Sequence, residues 1–169
     1  MALEKVKKPR NYINNRDLYN EMKIYKDKYN QAKENNLPLP KITNYMGECI
    51  LAIANRLSTK GNFSGYTYRD EMISDGIENC IMYINNFNPD KYDNPFAYLT
   101  QIIKFSFIRR IQKEKKQQYV KIKNVQNYFT FTEVYDEMND HSDREIYENN
   151  ERFIAEYEEK MLEKKKKVK

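Results

Sequence analysis

The chain has 169 residues, of which 33% are charged and 40% hydrophobic, and its formal net charge is +5. This amount of apolar material suffices for one modest core, so we expect one compact domain with tails. No apolar run approaches the roughly 20 residues that span a bilayer, and the first ten residues lack the apolar core of a signal peptide. These features predict a cytoplasmic protein without a membrane partner. The positive net charge favours a polyanionic partner.

Apolar residues spaced three and four apart predict an all-α fold. Residues 1–14 are basic and lack this spacing, which indicates a flexible or docking arm. A first helix is predicted over residues 15–34, and it ends before Pro38 and Pro40 because proline cannot occupy a helix interior. A second helix is predicted over residues 43–58, with an expected core face of Met46, Cys49, Ile50, Ile53 and Leu57.

Two further helices are predicted over residues 67–86 and 95–120. Thr67 is the candidate N-cap of the third helix, and Asn94 followed by Pro95 is a typical start for the fourth. The aromatic run at residues 128–131 is the one competing strand signal. The expected buried face of the third helix consists of Ile73, Ile77, Cys80, Ile81 and Ile84, and that of the fourth consists of Phe96, Leu99, Ile103, Phe107 and Ile111.

The composition changes near the C-terminus. Residues 133–163 contain 12 Asp or Glu against 3 Lys or Arg, and lysines follow them. We therefore divide the chain into a helical domain at residues 15–127 and an acidic appendage at residues 128–169 with a lysine tail. A helix is predicted in the appendage around residues 144–162, and since isolated helices of this size are marginal in water, we expect it to order on binding.

Residue types that are typical of catalysis are few. Cys49 and Cys80 show neither a CxxC spacing nor a nearby histidine, so we expect buried free thiols and no metal site. The single histidine, His141, has no candidate catalytic partner, and the four glycines form no phosphate-binding loop. The sequence therefore predicts no enzyme activity and no cofactor of the protein's own.

The predicted third helix carries the carboxylates Asp70, Glu71, Asp75 and Glu78. A solvated helix face also explains them, and Asp70 and Glu71 suit a helix N-terminus as well. However, no lysine or arginine occurs between Asp70 and Asp90. A surface that carries only negative charges favours a basic partner.

The predicted fourth helix carries a second stripe, which is aromatic at its start and basic at its end. It consists of Tyr98, Ile102, Phe105, Arg109, Lys113 and Lys116. The alternatives are a second core contact for the apolar residues and a solvated face for the lysines. Rings beside cations suit single-stranded nucleic acid, in which each stacked base contributes about 1–3 kcal/mol. Duplex DNA would use the cations alone.

The segment from Glu71 to Ile111 resembles region 2 of the sigma-70 superfamily, the bacterial factors that bind RNA polymerase and open promoters. It aligns without gaps to an acidic helix with a central glycine, a closing aromatic residue, a turn and an aromatic-to-basic helix. The matching positions are Glu71, Met72, Ile73, Asp75, Gly76, Ile84, Phe87, Tyr98, Thr100 and Arg109. The NFSGYT element and the NPFAYLTQ helix start extend the resemblance toward the late-gene sigma factors of T-even-like bacteriophages.

The resemblance implies a sigma region 2 domain that binds host core RNA polymerase and directs recognition and opening of AT-rich, minus-ten-like promoters. The acidic helix would dock on the clamp helices of the largest polymerase subunit through Asp70, Glu71, Asp75, Glu78 and Asn85. In the next helix, Tyr98 and Phe105 would hold unstacked bases of promoter DNA. The other implied DNA-binding residues are Gln101, Ile102, Lys104, Arg109, Arg110, Lys113 and Lys116. A late-transcription coactivator is a further implied partner.

The chain departs from the family pattern at two places. Primary sigma factors carry adjacent tryptophans where this chain has Gln101 and Ile102, and the sequence contains no tryptophan. No segment after Val125 resembles the helices of sigma region 4. Phage late sigma factors also lack that region and engage the DNA sliding clamp through a hydrophobic and acidic C-terminal epitope. Its nearest analogue in this chain is Phe153, Ile154 and Tyr157.

Two other functions stay open at this point. A nucleic-acid-binding regulator that does not act as a polymerase subunit would leave the acidic helix face without a partner. A nuclease or another small phage enzyme would show turnover that depends on a divalent metal ion.

Overall fold

The computed structural model describes residues 12–131 and 141–168, with side chains at 12–127 and 145–167. The described residues form α-helices and a short 3-10 helix, with no strand among them, which confirms the all-α class. They fall into two compact units, one ending at Arg110 and the other beginning at Ile111. The helices are α1 (Asn15–Glu34), α2 (Asn44–Ser58), α3 (Arg69–Tyr83), α4 (Pro95–Phe131) and α5 (His141–Val168), and the 3-10 helix Ile84–Asn86 follows α3.

Side-chain caps explain where three of the helices begin. Asn14 accepts a hydrogen bond from the backbone N–H of Arg16 at the start of α1, at 3.1 Å. Thr43 accepts one from Met46 at the start of α2, at 3.4 Å, and Asn94 accepts one from Ala97 at the start of α4, at 3.0 Å. Polar side chains of this kind satisfy backbone donors that have no partner inside the helix.

The N-cap prediction for α3 is wrong. The helix begins at Arg69, so Tyr68 occupies the N-cap position, and Thr67 lies in the preceding turn. Arg69 donates a hydrogen bond from Nε to Oγ of the buried Ser58 at 2.9 Å, which ties the start of α3 to the end of α2. This tertiary contact lies at the observed start of α3, two residues after the predicted start at residue 67.

The first unit buries an apolar core between α1, α2, α3 and the first part of α4. The expected core face of α2 is confirmed, since all five of its residues are buried. Leu99, Ile103 and Phe107 of α4 are fully buried, as expected. For α3 the prediction holds in part, since Ile73, Cys80 and Ile84 are buried but Ile77 is half-buried and Ile81 is 47% exposed. Met72 and Gly76 are buried in addition.

Gly76 allows α3 to approach α4 closely. A Cβ atom added there would lie 3.1 Å from Cγ2 of Ile103 and 3.1 Å from Cε1 of Phe107. Neither of these side chains is accessible to solvent, so neither can move away without disturbing the core. A glycine inside a helix costs about 1 kcal/mol relative to alanine, and the close approach explains its presence.

We expect Gly76→Ala to lower the free energy of unfolding by about 1–3 kcal/mol through overpacking. The matched control is Gly47→Ala in α2, where an added Cβ would have no atom within 4 Å. That change should raise the free energy of unfolding by about 0.5–1 kcal/mol, because it removes backbone entropy from the unfolded chain. Urea unfolding followed by circular dichroism measures both, and equal stabilisation by the two substitutions would contradict the close contact.

The described end of the predicted N-terminal arm packs against α2 and α4. Ile13 is buried, and the Tyr12 ring contacts the edge of Phe96 with ring centroids 5.8 Å apart. The guanidinium of Arg56, in α2, lies 4.4 Å from the centre of the Tyr12 ring. The rest of the arm, residues 1–11, lies outside the described residues.

The second unit contains the part of α4 after Arg110 and all of α5. α4 ends at Phe131, beyond the predicted end at residue 120, and residues 128–131 are helical despite their strand-like aromatic run. Residues 120–131 contain neither glycine nor proline, so nothing in the local sequence stops the helix. α5 likewise exceeds the predicted range of 144–162 at both ends.

The two helices of the second unit form an antiparallel hairpin. The rings of Tyr119 and Tyr157 stack with centroids 4.6 Å apart, and the Tyr119 hydroxyl donates a hydrogen bond to Glu158 at 2.8 Å. Further along α4, Gln126 donates a hydrogen bond to Glu151. From Tyr119 to Gln126 the residue numbers increase along α4, while those of their partners decrease from Glu158 to Glu151 along α5. The two helices therefore run antiparallel.

Candidate functional site

The outer face of α3 combines carboxylates with exposed apolar side chains. Glu71 and Glu78 are exposed, and Ile81 and Met82 are 47% and 59% exposed. At 3.6 residues per turn these four positions lie on one side of the helix. Asp70 is also exposed, near one edge of that side. A shallow depression on it is lined by Ser74, Ile77, Glu78, Ile81 and Met82.

Asp75 differs from the other carboxylates because it has a partner inside the first unit. Its two oxygens accept hydrogen bonds from Nε and a terminal nitrogen of Arg110, at 2.6 and 2.7 Å. Both side chains are largely covered, with 28% and 19% exposed. The resemblance implies a polymerase contact for Asp75 and a DNA contact for Arg110. In this structure the two side chains pair with each other and join α3 to α4.

A second polar contact lies beside this ion pair. Arg109 donates a hydrogen bond to Oδ1 of Asn79 at 2.6 Å, and the amide nitrogen of Asn79 donates one to Oγ of the buried Ser106 at 3.3 Å. The two adjacent arginines therefore both bind polar groups of α3. This network fixes the relative position of the two helices through directional contacts.

Asn85 lies in the 3-10 helix and is held by α1. Its side-chain oxygen accepts a hydrogen bond from the hydroxyl of Tyr25 at 3.2 Å, and its backbone oxygen accepts one from the ammonium group of Lys26. The amide oxygen of Asn85 thus faces α1 and does not belong to the outer face of α3.

Along α4, the residues of the predicted DNA-binding stripe divide into exposed and anchored groups. Gln101 and Lys104 are exposed, and Phe105 is 51% exposed. Ile102 is half-buried. The exposed group is Gln101, Lys104 and Phe105, and we call it the outer face of α4.

Tyr98 belongs to the anchored group. Its hydroxyl donates a hydrogen bond to the backbone oxygen of Tyr83 at 2.6 Å, and its ring lies 5.3 Å from the Phe87 ring. Burial raises the pKa of Tyr98, and the neighbouring Cys80 adds to the effect. Tyr98 therefore connects the end of α3 to α4, and Phe105 is the more accessible ring.

The remaining predicted site residues lie in the second unit. Lys113 and Lys116 are exposed. Ile154 is buried, Tyr157 stacks on Tyr119, and Phe153 lies 6.3 Å from the Tyr157 ring. Hydrogen bonds from Tyr119 and Lys123 lower the pKa of Glu158. The three predicted clamp-binding residues are thus used within the hairpin.

No metal centre is formed by the part of the chain that the structure describes, since no group of three His, Cys, Asp or Glu residues is placed to hold an ion. Cys49 and Cys80 are buried free thiols, as predicted, and burial raises the pKa of Cys80 to about 12. Within those same residues, none of the helices is long and apolar enough to cross a membrane.

Sequence reasoning missed two features of the first unit. It placed Ile81 in the core, and it assigned Asp75 and Arg110 to different partners. The buried positions Met72, Gly76 and Cys80 are spaced by four, but glycine carries no hydrophobic signal, so their spacing does not reveal this face in the sequence. No local signal identifies the ion pair.

Comparisons with known proteins add no family to this description: no family model matches the sequence, and none of the curated proteins matches it.

Proposed function

We propose that the protein is a phage late-transcription sigma factor, which binds host core RNA polymerase and directs recognition and opening of minus-ten-like, AT-rich promoters. One observation carries the proposal. A single unit bears an acidic and apolar surface on α3 and an aromatic and cationic surface on α4, and the two helices are fixed together by Gly76 packing and the Asp75–Arg110 pair. The resemblance of residues 71–111 to sigma region 2 supports the same assignment.

The outer face of α3 has the composition of a protein-binding surface. Exposed Ile81 and Met82 provide apolar area that water solvates poorly, and the carboxylates of Glu71 and Glu78 flank them. Apolar contacts at the centre of an interface supply affinity, whereas charges around it supply orientation and exclude wrong partners. A basic coiled coil, such as the polymerase clamp helices, fits this arrangement.

The outer face of α4 suits an unstacked DNA strand. A base that stacks on an aromatic ring gains about 1–3 kcal/mol, and extrusion of a base costs a few kcal/mol. Phe105 offers the exposed ring, and Lys104 lies beside it in sequence to bind a phosphate. Tyr98 and Arg109 then serve this surface indirectly, by holding α4 against α3.

Binding of the sliding clamp through Phe153, Ile154 and Tyr157 would require a change in the second unit. Ile154 is buried and Tyr157 is stacked in the hairpin. We therefore place the clamp contact, and a coactivator contact with it, second to the polymerase and promoter contacts.

Run-off transcription tests the proposal directly. Core polymerase is mixed with a template that carries an AT-rich, minus-ten-like promoter, with and without the purified protein. We expect a promoter-specific product only when the protein is present. If an active core gives no such product with the protein, the initiation function is wrong.

The regulator alternative makes a different prediction in the same samples. It predicts DNA binding without co-elution of the protein and core polymerase in size-exclusion chromatography. Co-elution without DNA would exclude it.

A further inference from the structure

Lysines from two distant parts of the sequence meet at one end of the helical hairpin. Residues 111–118 of α4 and 161–167 of α5 together contain seven lysines and two glutamates. All seven lysine side chains are exposed. We call them the basic end: Lys113, Lys115, Lys116, Lys164, Lys165, Lys166 and Lys167.

The register of the hairpin brings these lysines together. Tyr119 contacts Tyr157 and Glu158, and the two helices are antiparallel. Lys113 precedes Tyr119 by six residues and Lys164 follows Glu158 by six, so at 1.5 Å per residue both lie about 9 Å from this contact in the same direction. Tyr119 and Lys165 also line one shallow depression.

Helix energetics do not account for the basic end. Cations in the last turn of a helix interact favourably with its dipole, by about 0.3–1 kcal/mol each. That explains one or two lysines at the end of α5, but Lys113, Lys115 and Lys116 lie inside α4, far from its C-terminus at Phe131. Seven neighbouring cations repel each other, and a bound polyanion removes this cost.

The surroundings indicate which polyanion fits. The nearby rings of Tyr119 and Tyr157 stack on each other, and the Tyr119 hydroxyl binds Glu158. The rings are therefore occupied, and a single strand gains little by stacking there. Cations without accessible rings suit the phosphates of a duplex, for which binding is set by charge alone.

An anionic membrane fits the basic end less well. Met161 and Leu162 are exposed near it, but they are followed at once by Glu163 and preceded by Glu156, Glu158 and Glu159. A helix that lies in a membrane surface needs a continuous apolar face. A duplex, in contrast, can contact only the end of the hairpin and avoid the carboxylates.

We infer that the basic end binds the phosphate backbone of duplex DNA without sequence preference. This is a second DNA contact, separate from the outer face of α4. It does not depend on the proposed sigma function, because polymerase takes no part in it. It also gives the lysine tail of α5 a role that the sliding-clamp epitope does not explain.

Fluorescence anisotropy with the full chain and a labelled random-sequence duplex of roughly 20 bp, about two helical turns, tests the inference. The variant replaces Lys164, Lys165, Lys166 and Lys167 with glutamine, whose helix propensity is similar to that of lysine. We expect affinity to fall at least about tenfold at 0.1 M salt, and the slope of log K against log salt to shrink by about 0.9 per lost phosphate contact. Lys113→Gln with Lys115→Gln and Lys116→Gln should act in the same direction.

The matched control removes four exposed lysines from the first unit: Lys23→Gln, Lys28→Gln, Lys33→Gln and Lys41→Gln. It changes net charge equally and should keep affinity within about threefold of the wild type. Arginine at positions 164, 165, 166 and 167 should restore binding, and circular dichroism verifies that helix content is kept.

Three outcomes would overturn the inference. The tail variant could bind the duplex as tightly as the wild type, or the control could lose as much affinity as the tail variant. The wild type could also bind vesicles of phosphatidylcholine and phosphatidylserine while showing no affinity for the duplex, which would assign the basic end to a membrane surface.

Discussion

Replacing both Glu71 and Glu78 with lysine should strongly weaken binding of the protein to core RNA polymerase while the fold stays intact. Both side chains are exposed on the outer face of α3, next to Ile81 and Met82. The substitutions place like charges opposite a basic partner, which costs several kcal/mol and corresponds to a loss of affinity of about a hundredfold or more. Titration of fluorescently labelled core polymerase measures the affinity, and circular dichroism measures the fold.

The control carries the same charge change on another helix. Asp27→Lys with Glu34→Lys reverses two exposed carboxylates of α1, and we expect it to bind core polymerase normally. Asp75 is left in place because its reversal would break the pair with Arg110 and mix a loss of stability with a loss of docking. Normal binding by the α3 variant, or an equal loss in the control, would refute docking through α3.

Helix positions could be predicted because their signals are local. A capping side chain, a proline at the first helical position and an apolar stripe all lie within a few residues of the element they define. Thus α1 and the core face of α2 follow from the sequence, as does the start of α4 at Pro95. Glycine carries no hydrophobic signal, so the stripe of α3 through Gly76 was not recognised and Ile81 was placed in the core.

Contacts between helices could not be predicted in the same way. Asp75 and Arg110 are 35 residues apart and lie in different helices, so no local pattern shows that they pair with each other. Tyr98 is likewise predicted to be an accessible ring, whereas its hydroxyl donates a hydrogen bond to the backbone oxygen of Tyr83. The register of the hairpin, which brings the lysines of α4 and α5 together, likewise depends on packing between distant segments.

Replacing Phe105 with alanine should slow open-complex formation on a duplex promoter by about 5- to 150-fold, since each stacked base is worth about 1–3 kcal/mol. The ring is 51% exposed, so the free energy of unfolding should change little. On a template melted in advance the loss should be smaller, because the cost of unstacking is already met. Permanganate footprinting of the open complex measures the rate on both templates.

Two matched variants separate base stacking from packing. Tyr92→Ala removes another ring, 55% exposed and outside α4, and should leave the opening rate unchanged. Tyr98→Phe keeps its ring beside Phe87 and loses only the hydrogen bond to Tyr83, so it should lower the free energy of unfolding by about 1 kcal/mol and preserve most of the opening rate. If Phe105→Ala impairs both templates equally, the ring does not act in opening. If Tyr98→Phe impairs opening as much as Phe105→Ala without losing stability, then the Tyr98 hydroxyl itself contacts promoter DNA and its anchoring role is wrong.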